Sequence, residues 1–324
     1  MIVVTGGLGF IGSNLIKKLN SCGINNIYIV DKKKKYPWKK NKLNFNKYYY
    51  YKKFFKILYS NKIKIDNIVH MGANTNTQEW NTRKILFENY YFSKDLLDIC
   101  LKKKINFFYA SSASIYGNSK NFEEKNENEF PLNPYAFSKF LFDQYVRKII
   151  KKKIPIKIIG FRYFNVFGPG EEHKGSMASP VLKFFLQAKK NFKINIFKSS
   201  KKYNFRSYKR DFISIHDVVD ICLWFMKKKK IKNDIYNIGT SRTTSFYKIA
   251  LIVKKYFKKK NIDIRIDKIN FPENLEESYQ FYTKSSNKKL INAGYNSKFL
   301  CFDKACILYL NYLIGSLRSK KNEK

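Results

Sequence analysis

Acidic residues are scarce in this chain: 24 Asp and Glu stand against 65 Lys and Arg over 324 residues, a formal net charge of +41. Cysteine is scarce as well. The five thiols, Cys22, Cys100, Cys222, Cys301 and Cys306, are odd in number and form no C-x-x-C pair, so neither a disulfide framework nor a zinc site is visible. Three of them fall in apolar stretches and are expected to be small buried thiols in a reducing cytoplasm. Long apolar runs are missing too: none approaches the roughly 18 residues of a membrane span. The best stretch, residues 305–317, carries Asn311 and reads as an amphipathic helix, so no membrane association is expected. A strand and a glycine loop follow Met1 at once, which leaves no room for a signal peptide.

The charge on its own points to nucleic acid or an anionic surface. The composition argues otherwise. Lys, Asn, Ile, Tyr and Phe are over-used together while Arg, Gly, Ala and Pro are scarce, a skew that crosses chemical classes as nucleotide bias would. The lysine runs at 32–35, 102–104, 151–153, 227–230 and 258–260 mostly follow apolar segments, where helices should end. Cations there complement the helix dipole and stay in water. The expectation is a solvated basic surface with no specific nucleic-acid site.

Short apolar runs alternate with helical patterns in the first half. Residues 2–4, 27–30, 68–71, 107–110 and 156–161 read as buried strands, with helices near 12–19, 84–102 and 135–152 between them. That alternation predicts an α/β fold, a doubly wound parallel sheet covered on both faces. After Gly168 the rhythm breaks. A helix at 180–189, a strand at 211–215, a helix at 218–227 capped by Asp217, a strand at 235–238 and helices at 245–257 and 302–317 follow. The predicted organisation is a dinucleotide-binding domain over 1–168, with 211–238 returning to it. A smaller interwoven lobe covers 169–210 and 239–318, and 319–324 form a frayed tail.

The opening carries a ligand signature. After the strand come Gly6, Gly9 and Gly12 in a G-x-x-G-x-x-G loop, then an amphipathic helix. Gly6 suits the tight turn, Gly9 lets the backbone approach a pyrophosphate, and Gly12 lets helix and strand pack closely. The diphosphate would sit on the helix N-terminus. Asp31 ends the second strand, about 20 residues on, where an acid binds the adenosine ribose. Asp31 alone favours NAD, whereas Lys32 and the lysines after it suit the 2′-phosphate of NADP, and both stay open on this segment.

The second constellation starts a helix. Asn133 caps, Pro134 takes the first helical position, and Tyr135 and Lys139, four residues apart, share a face. A cation there, with a positive nicotinamide beside it, would lower the tyrosine pKa toward the working pH, so that Tyr135 exchanges a hydroxyl proton as hydride moves. Upstream, a buried strand ends in a hydroxyl cluster. Ser112, with Ser114 as the alternative, is the candidate to hydrogen-bond the reacting oxygen.

In this order the glycine loop, the serine and the Tyr135–Lys139 pair resemble the extended short-chain dehydrogenase/reductase family of nucleotide-sugar enzymes. The segments at 162–169, 210–218 and 236–240 extend the likeness over nearly the whole chain. A narrower likeness, to its ADP-heptose 6-epimerase branch, lies in His173-Lys174-Gly175-Ser176-Met177-Ala178-Ser179, with Thr77-Gln78-Glu79-Trp80 and residues 138–143. The resemblance implies a homo-oligomer with tightly bound NADP that inverts C6″ of an ADP-bound heptose for lipopolysaccharide synthesis. Hydride leaves the carbon and returns to its other face, so acid/base groups are needed on both sides. They would be Tyr135 and Lys174, with Lys139 holding the nicotinamide ribose.

By the same carry-over, Phe10, Ile11, Asp31, Lys32, Met71, Gly72, Ala73, Asn74, Thr75, Asn89 and Val166 line the cofactor. Lys39 and Lys52 reach its phosphates, and Tyr135, Lys139 and Lys174 border it. Ser112, Asn165, Ser176, Lys183, Phe197, Lys198, Ser199, Ser200, Arg210 and Tyr279 contact substrate, the arginine fork suiting a diphosphate. No metal is expected. The chain departs from the family at Lys183, commonly a histidine, at Lys198-Ser199-Ser200, commonly E-G-S, and at Met71, often an acid. Two other readings compete: an epimerase acting at C4 of a UDP-hexose, which would not need Lys174, and a Rossmann binder without catalysis.

Overall fold

A computed structural model describes residues 1–32, 43–60, 63–199, 204–272 and 279–321, with side chains as far as Ser316. The chain divides into two units. The first comprises residues 1–163, 218–238 and 287–296. It holds β1 (Ile2–Thr5), α1 (Phe10–Ser21), β2 (Ile27–Asp31), β3 (Lys47–Tyr50), α2 (Tyr51–Tyr59), β4 (Asn67–His70), α3 (Thr82–Ile85), α4 (Phe92–Lys103), β5 (Asn106–Ser112), α5 (Pro134–Ile150) and β6 (Ile158–Tyr163). Most of α7 (Ile215–Lys227), β10 (Asp234–Ile238) and α9 (Lys288–Asn292) complete it.

These strands form one seven-stranded sheet in the order β10-β6-β5-β4-β1-β2-β3, and every pairing in it is parallel. Strand order reverses at β1, which pairs with β2 on one side and β4 on the other. In such sheets the ligand lies beyond the carboxyl ends of the strands at this switch point. Burial explains the strand sequences. β1 and β6 are buried at every residue, as a sheet covered on both faces demands. Phe142 of α5 packs edge-on against Tyr109 of β5 at 4.8 Å, in a core that also holds Phe54, Phe107 and Ile158. Truncating such a ring to alanine costs about 3–5 kcal/mol.

The second unit comprises residues 164–217, 239–286 and 297–324. Here β7 (Asn165–Phe167) pairs with β9 (Lys209–Ser214), which pairs on its other edge with β11 (Thr243–Ser245). Separately, β8 (Lys193–Phe197) pairs with β12 (Arg265–Ile269). The helices α6 (Pro180–Asn191), α8 (Phe246–Lys258) and α10 (Phe302–Lys321) pack their apolar faces together around Phe185, Val253, Phe257 and Tyr309.

Several expectations change. The strand expected at 211–215 belongs to the small sheet, not to the dinucleotide-binding domain: it is β9, held there by its pairing with β7 and β11. For the same reason the first unit's opening segment ends at Tyr163 rather than Gly168. Asp217 does not cap a helix starting at Val218. That helix begins at Ile215, and the Asp217 carboxylate instead accepts the Leu300 N–H at 3.2 Å. The helix expected at 84–102 contains a π-helical segment, Leu86–Tyr91, between α3 and α4. Residues 319–321 continue α10 rather than fray. Short strands such as β3, β8, β11 and β12 were not foreseen. The lysines do gather where helices end: Lys102 and Lys103 in the last turn of α4, Lys189 and Lys190 in that of α6, Lys255 and Lys258 in that of α8.

Candidate active site

Thr5 ends β1, and the glycine loop follows it directly. Gly6 has φ +63°, and a Cβ there would lie 2.6 Å from Gly72 N and Cα, so two main chains pass where a side chain would block them. A Cβ on Gly12 would lie 2.3 Å from the Gly6 carbonyl oxygen. Gly9 takes the N-cap position of α1, and no side chain caps the helix. Phe10 is buried and Ile11 partly exposed at its first turn. A bare helix N-terminus behind a glycine turn at the switch point fits a pyrophosphate. Asp31 lies at the end of β2, where its Oδ2 accepts the Leu8 N–H at 2.9 Å and its Oδ1 the Lys32 N–H at 2.7 Å. The Lys32 ammonium reaches Glu88 Oε1 at 2.5 Å. Lys52 is exposed on α2, and Lys39 lies outside the described residues.

A directional hydrogen-bond chain runs beneath the loop. Ser93 donates to the Asn89 carbonyl, so Ser93 Oγ accepts from His70 Nε2 at 2.8 Å. The other ring nitrogen, Nδ1, then accepts from Thr5 Oγ1 at 2.6 Å, and Thr5 in turn accepts the Gly72 N–H at 3.3 Å. Burial, and beside it the Lys139 charge, lower the His70 pKa to about 3, so the ring is neutral. The Asn89 side chain closes the far end. It accepts the Asn74 N–H at 2.7 Å and donates to the Asn74 carbonyl at 2.9 Å and to Ser138 Oγ at 3.0 Å. Asn89 sits in the π-helical segment, a feature that recurs where a helix carries function. Met71 accepts a hydrogen bond from the Tyr163 hydroxyl at 3.6 Å, Ala73 is partly buried, and Thr75 is exposed.

The second constellation assembles as its spacing implied. Asn133 Oδ1 caps α5 by accepting the Ala136 N–H at 2.9 Å, and Pro134 fills the first helical position. Ser112 lies close enough to Tyr135 to act on its pKa, and its Oγ accepts from Ser114 Oγ at 2.9 Å. Lys139 is 5% exposed and donates to the Ala110 carbonyl at 2.9 Å. Burial pushes its pKa down to about 8, and Asp143, one turn further along α5, opposes the shift. Burial raises the Tyr135 pKa from its ordinary value, and Ser112 opposes that shift.

The second unit gathers the remaining candidates. Glu171, fully buried, accepts the Ser179 N–H at 2.7 Å, Ser179 Oγ at 2.6 Å and the Gly168 N–H at 3.3 Å. This anchors the segment that carries Lys174 and the exposed Ser176, with the Lys174 N–H donating to the Glu171 carbonyl at 2.9 Å. Burial lowers the Lys174 pKa, and Glu171 opposes that shift. Desolvation also lowers Lys183, reinforced by the like charges of Arg210 and Lys174. Arg210 donates through Nε and Nη2 to the Gln280 carbonyl at 2.9 and 2.6 Å, and its guanidinium lies over the Tyr279 ring at 4.7 Å. Asn165 donates to the Asp211 carbonyl and to Thr283 Oγ1, both at 3.1 Å. Val166, beside it in β7, is partly buried.

Phe197 and Tyr279 both pack on Phe271, at 4.9 and 5.2 Å, in an aromatic wall suited to a base or sugar face. Lys198 extends the β8–β12 ladder by donating to the Ile269 carbonyl at 2.7 Å, and Ser199 Oγ accepts the Phe205 N–H at 3.1 Å. Ser200 lies outside the described residues. No cluster of three metal-ligating side chains exists among the described residues. Sequence reasoning overlooked His70, Asp143, Glu171 and Asp211. Each is a buried polar residue in or beside a segment named above, and its cost of burial was the available signal. Asp211, for example, is fully buried and accepts from Thr240 N, Thr240 Oγ1, Ser241 N, Ser285 N and Ser285 Oγ at 2.7–3.0 Å.

Comparison with known proteins assigns the chain. Residues 2–239 match the model of the NAD dependent epimerase/dehydratase family. The chain belongs to that family. A curated ADP-L-glycero-D-manno-heptose-6-epimerase from Brachyspira hyodysenteriae is 43% identical over 308 residues, 93% of each chain. The crystal structure of the Helicobacter pylori ADP-L-glycero-D-manno-heptose-6-epimerase aligns with TM-score 0.81 and 27% identity, covering 96% of this chain and 95% of that one. A Thermotoga maritima UDP-glucose 4-epimerase, solved with UDP-glucose, shares the fold at TM-score 0.80 and 22% identity, covering 98% and 99%. The family's cofactor is a nicotinamide dinucleotide, and the glycine cradle, the bare N-terminus of α1 and Asp31 fit one. No helix among the described residues is long and apolar enough to cross a membrane.

Proposed function

We propose that this chain is an epimerase that inverts C6″ of ADP-D-glycero-D-manno-heptose to the L-glycero form, supplying the heptose precursor of lipopolysaccharide. The observation that carries the reading is the His173–Ser179 loop, anchored on buried Glu171, in a chain that also retains Ser112, Tyr135 and Lys139. The 43% identity to a curated enzyme of that name supports it.

A bound nicotinamide supplies the hydride acceptor and donor. The residues supply the proton chemistry. In one direction Tyr135, as the tyrosinate, would take the O6″ proton as C6″ is oxidised, with Ser112 hydrogen-bonded to the same oxygen. The ketone would then turn over, and Lys174, as the ammonium, would give its oxygen a proton as the other face is reduced. Lowered by burial, the Lys174 pKa lies nearer to neutral than that of a solvated lysine, which suits a group that must both give and accept a proton. Asn165, Ser176, Lys183, Arg210 and Tyr279 take the substrate, Arg210 and Lys183 facing its diphosphate and the aromatic wall at Phe197 its adenine.

For the cofactor we propose NADP, one per subunit, with Lys32 as the partner of the 2′-phosphate. The five free cysteines suit a reducing cytoplasm, and the family resemblance supports a homo-oligomer. Proton NMR of the purified, cofactor-loaded protein with either C6″ epimer tests the reading. Both epimers should relax to one equilibrium mixture, and no interconversion refutes it.

A further inference from the structure

Asp143 touches neither the glycine loop nor Tyr135, yet it is fully buried and uses both carboxylate oxygens. Oδ1 accepts from the Tyr109 hydroxyl at 2.8 Å. Oδ2 accepts from Ser111 Oγ at 2.8 Å and from Arg162 Nη2 at 2.7 Å. Ser111 and Arg162 are register partners across β5 and β6, so one oxygen clasps two adjacent strands to one helix. Tyr135, Lys139 and Asp143 follow each other at four-residue intervals along a single face of α5. Their neighbours on β5 are three consecutive residues: Ser112 beside Tyr135, the Ala110 carbonyl bonded to Lys139, and Ser111, between the two, bonded to Asp143.

We propose that Asp143 is a positioning residue for proton transfer, holding Ser111 so that Ser112 meets Tyr135 and supplying the negative charge that keeps Lys139 an ammonium. The reading of Tyr135 and Lys139 given above underlies it. A buried ammonium loses its proton readily, and a carboxylate one helical turn away counters this. The surrounding charges leave that task to Asp143. His70, facing Lys139 from β4, is neutral. Arg162, facing Asp143 from β6, has a second carboxylate, Glu129, at 2.8 Å, itself paired with Arg147 of α5. Tyr116 lies under the Arg162 guanidinium at 4.8 Å, and the Glu124 carboxyl, its pKa raised by burial, lies near both. Arg162 is therefore matched without drawing on the whole of the Asp143 charge.

The test compares Asp143→Asn, which keeps shape and removes charge, with Ser111→Ala, which removes one arm and keeps the charge. Asp143→Asn should lower kcat about tenfold, leave KM for the nucleotide sugar within about twofold, and move the alkaline limb of the kcat–pH profile down by about half a unit or more. Ser111→Ala should lower kcat a few-fold with the limb unmoved. A folded Asp143→Asn protein with the parent's kcat and limb overturns the proposal. Should Asp143→Asn fail to fold, Ser111→Ala decides: parent-like kcat overturns the positioning role, and a few-fold loss at unchanged Tm supports it. Competitive acetylation of Lys139, followed by mass spectrometry across pH, reads the ammonium without substrate. In Asp143→Asn the label should enter at lower pH, and an unchanged labelling curve overturns the charge role. That result stands even if the parent protein fails to epimerise the heptose, which would refute only the substrate assignment.

Discussion

Lys32 and Glu88 form an ion pair, Nζ to Oε1 at 2.5 Å, next to Asp31 at the end of β2. Glu88 also accepts from Asn74 Nδ2 at 2.8 Å. Burial raises the Glu88 pKa, but the Lys32 and Asn74 bonds outweigh it, so the acid stays ionised and the pair persists through neutral pH. A 2′-phosphate must therefore compete with Glu88 for Lys32. Glu88→Gln should tighten NADP several-fold, leave NAD nearly unchanged, and retain the bond to Asn74. Calorimetric titration with each dinucleotide measures this, and equal effects on both would remove Lys32 from the specificity argument.

His70 should leave a pH signature on stability. Its folded pKa is about 3 against an ordinary value near 6.5, so the unfolded chain binds more protons between those limits. The stability it contributes is complete above about pH 6.5 and declines as pH falls toward 3, by at most about 1.4 kcal/mol per unit. His70→Gln should be less stable than the parent at pH 7.5, and the difference in Tm should narrow on acidification. A gap constant from pH 7.5 to 5 would contradict the neutral, doubly bonded ring.

Tyr135→Phe and Lys174→Met should each slow epimerisation by about 10²–10⁴-fold while the protein still binds its dinucleotide. The NMR assay reads the rate, and cofactor fluorescence reads the binding. Parent-like activity in Lys174→Met would move the assignment toward a C4 epimerase that needs Tyr135 and Lys139 alone.

Gly12→Ala tests the cradle. The new methyl would lie 2.3 Å from the Gly6 carbonyl oxygen and 2.9 Å from Gly7 Cα, both main chain, so α1 must shift away from the loop. Dinucleotide Kd should rise at least tenfold, and stability should fall by about 1–3 kcal/mol in a denaturant melt. Unchanged affinity would mean that the N-terminus of α1 does not hold the pyrophosphate.

The sequence announced local chemistry well and long-range pairing poorly. Gly6, Gly9 and Gly12 share one loop, and Asn133, Pro134, Tyr135 and Lys139 one helix start, so their spacing exposed them although several of their partners are distant. The small sheet did not announce itself: β7, β9 and β11 are short, and their partners lie about 30 to 50 residues apart, beyond any local periodicity. The π-helical turn around Asn89 looks helical in its apolar pattern, and nothing local marks the extra residue. Buried acids were overlooked because a carboxylate reads as solvent-facing until its donors are known. Asp143 has Tyr109, Ser111 and Arg162, from two different strands.

The division of the chain bears on how it is made. The polypeptide leaves one unit for the other after Tyr163, Asp217, Ile238, Ser286 and Asn296. When residue 163 has emerged from a ribosome, six of the seven parallel strands exist, but β6 has no partner on its outer edge until Asp234–Ile238 arrives. Over that interval the nascent chain exposes an apolar, unpaired strand, the kind of edge that invites intermolecular pairing. Truncations ending between 163 and 234 are accordingly expected to aggregate during synthesis, which makes β10, which carries none of the proposed catalytic residues, the strand on which soluble expression depends.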